Sequence, residues 1–439
     1  MAKLDRKLNT YGLTMIAVGA CIGAGIFSSP GQIVEDVPHH LLVIVAWTLG
    51  GFIALTGALT FSELGSMYPK SGGVYVYLRE AYGELMGFLY GWVILLVITT
   101  GAIAALGMIF AEYLTNFIDL GPNQKVMVAA FTIVLLTIIN ITGVKTSQIF
   151  NNTFTGIKLF AIAIIIVLGF VCHNPDQITV NYSLSTIPDN AFEGVILALV
   201  GVLFSMGGWH HTSFLSGETI NARRTVPRAM VLGVSIVTIT YILVNIGYMN
   251  LLSLESIAAT DSIAADAMNT ITPNGGKIVA IAIAFSIFGT IGIYTMSAPR
   301  IYYAMAKDGV FFKFLSDVHP KYKTPAKAMI FQSAWAIVLL LTIGNFRQLM
   351  GYVVFMDIIF MTLAGASVFV LRYKKPDLER PVKVVLYPVV PVFFVIISTV
   401  FVGIVLVNKG TGSIPGLLVL GLGGIVYFII QWLKRNKKN

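Results

Sequence analysis

Val18-Gly19-Ala20-Cys21-Ile22-Gly23-Ala24-Gly25-Ile26-Phe27 lies in the middle of the first long apolar run of this chain of 439 residues. A later run carries Leu203-Phe204-Ser205-Met206-Gly207-Gly208-Trp209 at a matching place. Glycine inside a helix costs about 1 kcal/mol relative to alanine, so clustered glycines mark a break. In lipid a break exposes N–H and C=O groups, which is tolerated only where it is buried in protein or lines a cavity. Two breaks at corresponding positions of two halves point to the binding site of a transporter.

The rest of the chain agrees with a membrane setting. It is 56% hydrophobic and 11% charged, with a mean hydropathy of +0.84. A soluble domain carries about a quarter charged residues. Apolar runs long enough to cross a hydrocarbon core of about 30 Å recur throughout. They predict twelve spans, at about 10–36, 40–66, 87–117, 124–142, 149–172, 191–219, 226–252, 275–306, 325–343, 347–371, 383–407 and 412–433. No segment between them could hold a soluble domain, so one transmembrane domain over 1–439 is expected. The fold class is an all-α membrane protein.

The net charge of +9 would suit nucleic acid if it were gathered on one soluble face, but its placement follows the membrane rule instead. Cytoplasmic loops carry the excess of Lys and Arg. With the N-terminus inside, only Lys125, Lys277, Arg347 and Lys409 fall on the other face, and Lys158 falls within a span. Every other Lys and Arg lies on the inner side. Both termini are therefore expected in the cytoplasm of a cell whose plasma (inner) membrane holds the protein. The lipid bilayer is the expected surroundings, and no nucleic acid partner is expected. Cys21 and Cys172, the only cysteines, sit in or at the edge of spans and imply no disulfide framework. The first apolar run continues well past a signal-peptide core, and no small-residue cleavage site stands out, so a cleavable signal is not expected.

The two breaks lie about 185 residues apart, as do the starts of spans 2 and 7. Span 6 comes five spans after span 1. Five is odd, so the second copy enters the membrane from the opposite side. The pattern predicts two inverted five-helix repeats, about 10–172 and 191–371, with broken helices 1 and 6, and two extra helices at about 383–433. Tyr68-Pro69-Lys70-Ser71-Gly72-Gly73-Val74-Tyr75-Val76-Tyr77 is irregular but too apolar for a solvated loop. It re-enters the protein or lies along the interface. The long outer loop, 253–274, contains two short helical patterns and is a candidate external lid.

The breaks also carry the candidate chemistry. Close packing by small residues is the ordinary use of Gly23, Ala24, Gly25, Gly207 and Gly208. Their mid-span position favours a site. A half-helix starting after Gly25 aims free N–H groups and its positive dipole end at the gap, which suits a carboxylate. The half-helix before the break ends in free carbonyls, which suit an ammonium. An α-amino acid backbone matches both.

Lys158 is the one basic residue deep in a span. It lies about 10 residues, or about 15 Å, from the inner end of span 5. A charge at that depth costs at least about 2.5–3.5 kcal/mol and is a functional-site hypothesis by default. Its ammonium can replace a bound sodium ion, donating to carbonyls of the broken span 1 and to hydroxyls such as Ser297. A structural ion pair is the competing reading, with Asp357 as partner. Tyr241 joins the Lys158 network or serves helix packing, and the nearby polar Asn245 serves packing. His210 and His211 face different directions and have no further His or Cys beside them, so no metal site is expected. Trp209 and Phe204 close over a ligand or pack in the core. Glu218 lies too far past the second break to meet a bound side chain, so no acid is evident for a cationic substrate.

Together Gly23-Ala24-Gly25-Ile26-Phe27, Phe204 through Trp209, Pro69-Lys70-Ser71-Gly72-Gly73 and Arg300 with Ala306-Lys307-Asp308-Gly309 resemble the amino acid–polyamine–organocation superfamily. Within it the chain is similar to the L-type amino acid transporters, most of all to bacterial exchangers of alanine, serine and cysteine. The resemblance covers nearly the whole chain. It implies alternating access around the unwound parts of spans 1 and 6. Carried over by position, it implies that Ile22, Gly23, Ala24, Gly25 and Ile26, with Phe204, Ser205 and Gly207, bind substrate, mainly through backbone atoms. Phe204 would act as a gate. Lys158 would stand in for sodium, with Ser297 and Tyr241 as coupling partners, giving a sodium-independent antiporter of small neutral L-amino acids with no cofactor. Animal members carry a cysteine between spans 3 and 4 that bonds a heavy chain. The stretch from Thr115 to Gln124 has none, so no disulfide-linked heavy chain is expected and a prokaryotic, self-sufficient transporter is favoured.

Proton-coupled symport is the competing transport mode. A channel would need a continuous polar stripe, and a membrane enzyme would need a metal cluster or a nucleophile with a base. Neither pattern is present in the sequence.

Overall fold

The computed structural model describes residues 4–172, 180–260, 262–342, 346–409 and 414–436. Lys3, Lys437 and Lys438, which the charge count assigns to the inner side, lie outside the described residues. Apart from an isolated bridge between Leu8 and Thr219, the regular elements among the described residues are helical.

The first span is broken where the glycines predict. Helix α1 (Thr10–Cys21) is capped by the Asn9 side chain, which accepts the Gly12 N–H at 2.8 Å. Helix α2 (Gly25–Asp36) has no side-chain cap, and the pair bends by 47°. Helix α3 (His40–Met67) crosses next, followed by α4 (Val74–Tyr82). Helix α5 (Glu84–Val93) passes through a π turn at Ile94–Ile98 into α6 (Thr99–Leu114). Helices α7 (Pro122–Ile141) and α8 (Val144–Val171) follow.

Helix α9 (Ala191–Ser205) stops at the second glycine pair, and the chain resumes as α10 (His211–Phe214) and then α11 (Ala222–Leu251). The connection that follows forms α12 (Leu254–Ala258) and α13 (Ile263–Asn269), the two short helices that the sequence pattern predicts there. Helix α14 (Gly275–Ser297) meets α15 (Pro299–Lys307) at a proline suited to a helix start. The last helices are α16 (Ala326–Thr342), α17 (Phe346–Lys374), α18 (Val389–Lys409) and α19 (Ile414–Asn436).

Among the described residues, nine helices are long and apolar enough to cross a membrane, and the bent α1–α2 pair makes a tenth. Helices α9 and α16 are apolar but shorter. The eleventh predicted span begins later than its hydropathy indicates, at Val389 rather than 383. Pro388 and Pro391 supply no N–H and belong in a first helical turn. The backbone before them is claimed elsewhere: Val384 donates to the Glu63 carboxylate at 2.8 Å and Val382 to Ser66 Oγ at 3.2 Å.

Packing gathers both breaks at the centre. Helix α11 lies along α3 and touches α1 and α8, while α14 lies against α8 and α6. Helix α9 packs on α2 and α3. Helix α19 packs mainly on α5, at the edge.

The apolar stretch after α3 enters the protein. Val74 through Leu78 are buried. Gly73 (φ 45°) fits against α10, where an added Cβ would come within 2.1 Å of Ser213 Oγ. Arg79 bonds Asp308, and Glu80 bonds Lys375 at 2.5 Å.

A buried ion pair ties α15 to the segment between α10 and α11. Glu218 and Arg300 are both fully buried, joined by bonds of 2.6 and 2.9 Å. The backbone amides of Lys7 and Leu8 donate to the Glu218 carbonyl at 2.9 and 3.0 Å. Glu218→Ala would leave Arg300 buried without its counter-charge, at a cost of about 3–5 kcal/mol. A clearly lowered melting temperature in detergent is expected, with a smaller drop for Glu218→Gln. An unchanged value for Glu218→Ala would show that the pair carries no stability.

Candidate substrate site at the paired helix breaks

The two breaks are in contact. A Cβ at Gly25 would lie 2.8 Å from Ser205 Oγ and 3.0 Å from Ser205 Cα. Gly208 has φ 111°, and a Cβ there would come within 2.6 Å of the Ala20 carbonyl oxygen. Glycine at these positions therefore permits close approach of one unwound backbone to the other. Packing and site formation are one requirement here, not competing uses.

The assignment of acceptors at the end of α1 needs correcting. The first amides of α2, at Gly25 and Ile26, lack intrahelical partners and open on the gap. The carbonyls that end α1 are not left open. Lys158 Nζ donates to the carbonyls of Gly19 at 3.1 Å and Ile22 at 2.7 Å. Tyr241 Oη lies 3.0 Å from the Cys21 carbonyl oxygen and 3.2 Å from that of Ser205, spanning both breaks. The protein's own donors thus occupy the acceptors that the sequence reading assigned to a ligand ammonium. At the end of α9 the Ser205 carbonyl is held by Tyr241 and that of Phe204 accepts the Gly207 N–H at 3.3 Å, so Leu203, which lines the cavity, carries the remaining carbonyl of that terminus.

Lys158 is fully buried. Its third bond is to Thr290 Oγ1, at 3.0 Å. Thr290 Oγ1 also lies 3.1 and 3.2 Å from the Gly19 and Ile22 oxygens, and Ser286 donates to Ile22 at 3.3 Å. Ser297 does not take the expected place beside Lys158: its Oγ lies 2.7 Å from His211 Nδ1. Tyr241 bonds the same unwound segment but not Lys158 itself. Asp357 is not its counter-ion either, since the carboxylate stands 3.8 Å from His210 Nε2. Among the described residues, Lys158 forms no ion pair, and carbonyls and a hydroxyl surround the ammonium.

A cavity of about 170 Å³ opens between the breaks. Gly23, Ala24, Gly25, Phe204, Ser205 and Gly207, all named as candidates in the sequence, line it. Ile22 and Ile26 have fully buried side chains and stand behind that wall, so any contact they make is through their backbone. Trp209 also faces the cavity and packs edge-on against Phe61, with centroids 5.1 Å apart. One wall residue departs from the sequence reading: Asp357 brings an acid into a space where none was evident, and His210 and His211 line the same cavity. His211 stacks on Tyr294 at 4.4 Å. Among the described residues, no group of three His, Cys, Asp or Glu could hold a metal ion.

Thr290 and Asp357 are the residues that sequence reasoning missed or misplaced. An acid inside an apolar run was a usable signal for Asp357. A threonine in a polar-tolerant helix carried none for Thr290.

Comparison with known proteins identifies the family. The sequence pattern of the amino acid permease family matches residues 8–430. The serine/threonine exchanger SteT of Bacillus subtilis is 35% identical over 426 residues, covering 95% of each chain. The human large neutral amino acids transporter small subunit 2 is 30% identical, over 99% of this chain and 82% of its own length. The human b(0,+)-type amino acid transporter 1 is also 30% identical, over 97% and 88%. With two glycine-broken helices meeting at a central cavity and relatives along its whole length, this chain belongs to the amino acid permease family, in the L-type branch of the amino acid–polyamine–organocation superfamily, and is a multi-pass membrane transporter of amino acids rather than an enzyme.

Proposed function

We propose that the protein exchanges small neutral L-amino acids across the cell membrane, independently of sodium, by alternating access around the two breaks. The observation that carries this reading is Lys158, whose ammonium holds the Gly19 and Ile22 carbonyls where a transported cation would otherwise be needed. A fixed cation harnesses no ion gradient, so the free energy for inward movement comes from the amino acid leaving. Free amides of α2 meet the substrate carboxylate, and the carbonyl end of α9 meets its ammonium. Phe204 gates the cavity from its rim.

The architecture we infer has twelve crossings. The ten counted by length are joined by α9 and α16, which are apolar but short. Two inverted repeats of five, about 10–172 and 191–371, and two further helices complete the single transporter domain. Both termini face the cytoplasm, following the Lys and Arg asymmetry. Helices α12 and α13 form the external lid. No covalently attached heavy chain is needed, since Thr115 to Gln124 contains no cysteine.

The test is uptake of labelled alanine into liposomes. Vesicles preloaded with alanine should take up label many times faster than empty ones, with no current, and replacing sodium by choline should change nothing. Equal uptake into loaded and empty vesicles would overturn exchange. Uptake into empty vesicles driven by an inward proton gradient would replace it with symport, a role Asp357 and His210 could then serve.

A further inference from the structure

Two arginines stand free at the start of α11. Arg224 and Arg228 are both exposed, and among the described residues neither has a hydrogen-bond or ion-pair partner. The acids brought to this end of the helix are already used. Glu379 accepts from Arg223 at 2.5 Å. Glu218 is buried against Arg300. Asp5, brought here by the bridge between Leu8 and Thr219, pairs with Lys7 at 3.0 Å. The first turn of α11 contains no acid of its own. Helix α11 has 30 residues, about 45 Å at 1.5 Å per residue, while a hydrocarbon core is about 30 Å thick. The two charges put the overhang at this end, in the headgroup layer. Residues three and four apart share a helix face. Arg224 and Arg228 begin such a row, and Leu232, Ile236, Ile239 and Leu243 continue it. All four aliphatic side chains are exposed, and on a membrane-spanning helix that face meets lipid. One stripe is thus cationic at its end and aliphatic along its length.

We propose that Arg224 and Arg228 bind the phosphate of an anionic phospholipid, whose acyl chains lie along Leu232, Ile236, Ile239 and Leu243. A guanidinium presents paired N–H donors in a fork that matches phosphate oxygens. Two of them, one helical turn apart, can hold one phosphate between them. A zwitterionic lipid would also bring a positive group, and the carboxylates at this end already have partners. A lipid with net negative charge is therefore the better fit. The aliphatic row in line with the arginines favours a lipid over a soluble anion, which would use the arginines alone. Helix α11 packs along α1 and α3, and it bears Tyr241, which spans the two breaks. The bound lipid steadies the helix that ties the breaks together.

The experiment is lipid retention. The purified protein is equilibrated with equal amounts of phosphatidylglycerol and phosphatidylcholine of the same acyl chains, washed with detergent, and its bound lipid measured by mass spectrometry. The readout does not depend on transport, or on which side of the membrane this end of α11 faces. Each basic residue near a membrane surface favours anionic lipid by about fivefold. The unmodified protein should therefore retain phosphatidylglycerol about tenfold or more over phosphatidylcholine. Arg224→Gln and Arg228→Gln should each lower that ratio severalfold, and the double variant should lower it further. Arg223→Gln, whose charge is already paired with Glu379, should leave it nearly unchanged. Equal retention of the two lipids by the unmodified protein overturns the proposal, even if no variant folds. So does an unchanged ratio in the double variant, which would leave ordinary contact with surrounding lipid. An equal fall in all three single variants overturns it as well, because net charge and not the free pair would then be responsible. Displacement of phosphatidylglycerol by inorganic phosphate, but not by chloride of the same ionic strength, would make the pair a site for a soluble anion and overturn the lipid assignment.

Discussion

Lys158→Ala is expected to lower amino acid exchange about 100-fold in proteoliposomes while the protein still elutes as a folded species. The ammonium makes two bonds to carbonyls of the unwound segment and one to Thr290, all within a fully buried site. Each hydrogen bond to a charged group is worth about 1.5–3 kcal/mol, so losing them outweighs the factor of 100. Removing the charge also removes a desolvation cost, which is why folding should survive better than function. Thr290 and Ser286 still reach the Ile22 carbonyl, so the break would be loosened rather than abandoned. Lys158→Gln separates two contributions. It restores donors without charge, and exchange near the original rate would mean that hydrogen bonding alone sets the break. Near-normal exchange by Lys158→Ala, or strong sodium dependence of the unmodified protein, would sink the idea that this ammonium replaces a transported cation.

Gly25→Leu should abolish substrate binding. A Cβ at this position already lies 3.0 Å from the Ser205 backbone and 2.8 Å from its hydroxyl. The rest of a leucine side chain has nowhere to go except into the second break or the cavity that Gly25 lines. Either route pushes apart the two backbones that supply opposite ends of the proposed site. Overpacking of this kind costs about 1–3 kcal/mol in a well-packed interior, and the geometric loss at the site is greater. Gly25→Ala should show a reduced form of the same effect. Gly156 offers a control on a span, since a Cβ there meets no atom within 4 Å, and Gly156→Ala should bind normally. Unaltered serine binding by Gly25→Leu would mean that the two breaks do not need to touch.

The helix breaks were readable because glycine acts locally. Its cost in a helix and the hydropathy of its surroundings are both properties of a short window. Lys158 was readable for a similar reason, as a lone charge in an apolar run. Its hydroxyl partner was not. Thr290 and Ser297 are two turns apart on nearly the same face of α14, about 10 Å along the axis, and only the depth at which α8 crosses α14 selects between them. The eleventh span was placed a few residues early because hydropathy does not register that Val382 and Val384 give their amides to α3.

Composition and order along the chain were enough to point to a membrane-embedded helical protein with two glycine breaks and one basic residue, Lys158, far inside an apolar run. Those features follow from transfer free energies and backbone preferences, which act through neighbours in sequence. Three further features arose only from the docking of distant helices. The carbonyls ending α1 are claimed by Lys158 and Tyr241, from α8 and α11, and so are not open to a ligand. The glycines of one break are required by the backbone of the other. Asp357, from α17, faces the cavity beside His210 with an oxygen still unpaired. In a low-dielectric interior, what a polar group does depends on which partners come within about 3 Å of it, and residues more than a hundred positions apart become such partners only through the tertiary fold.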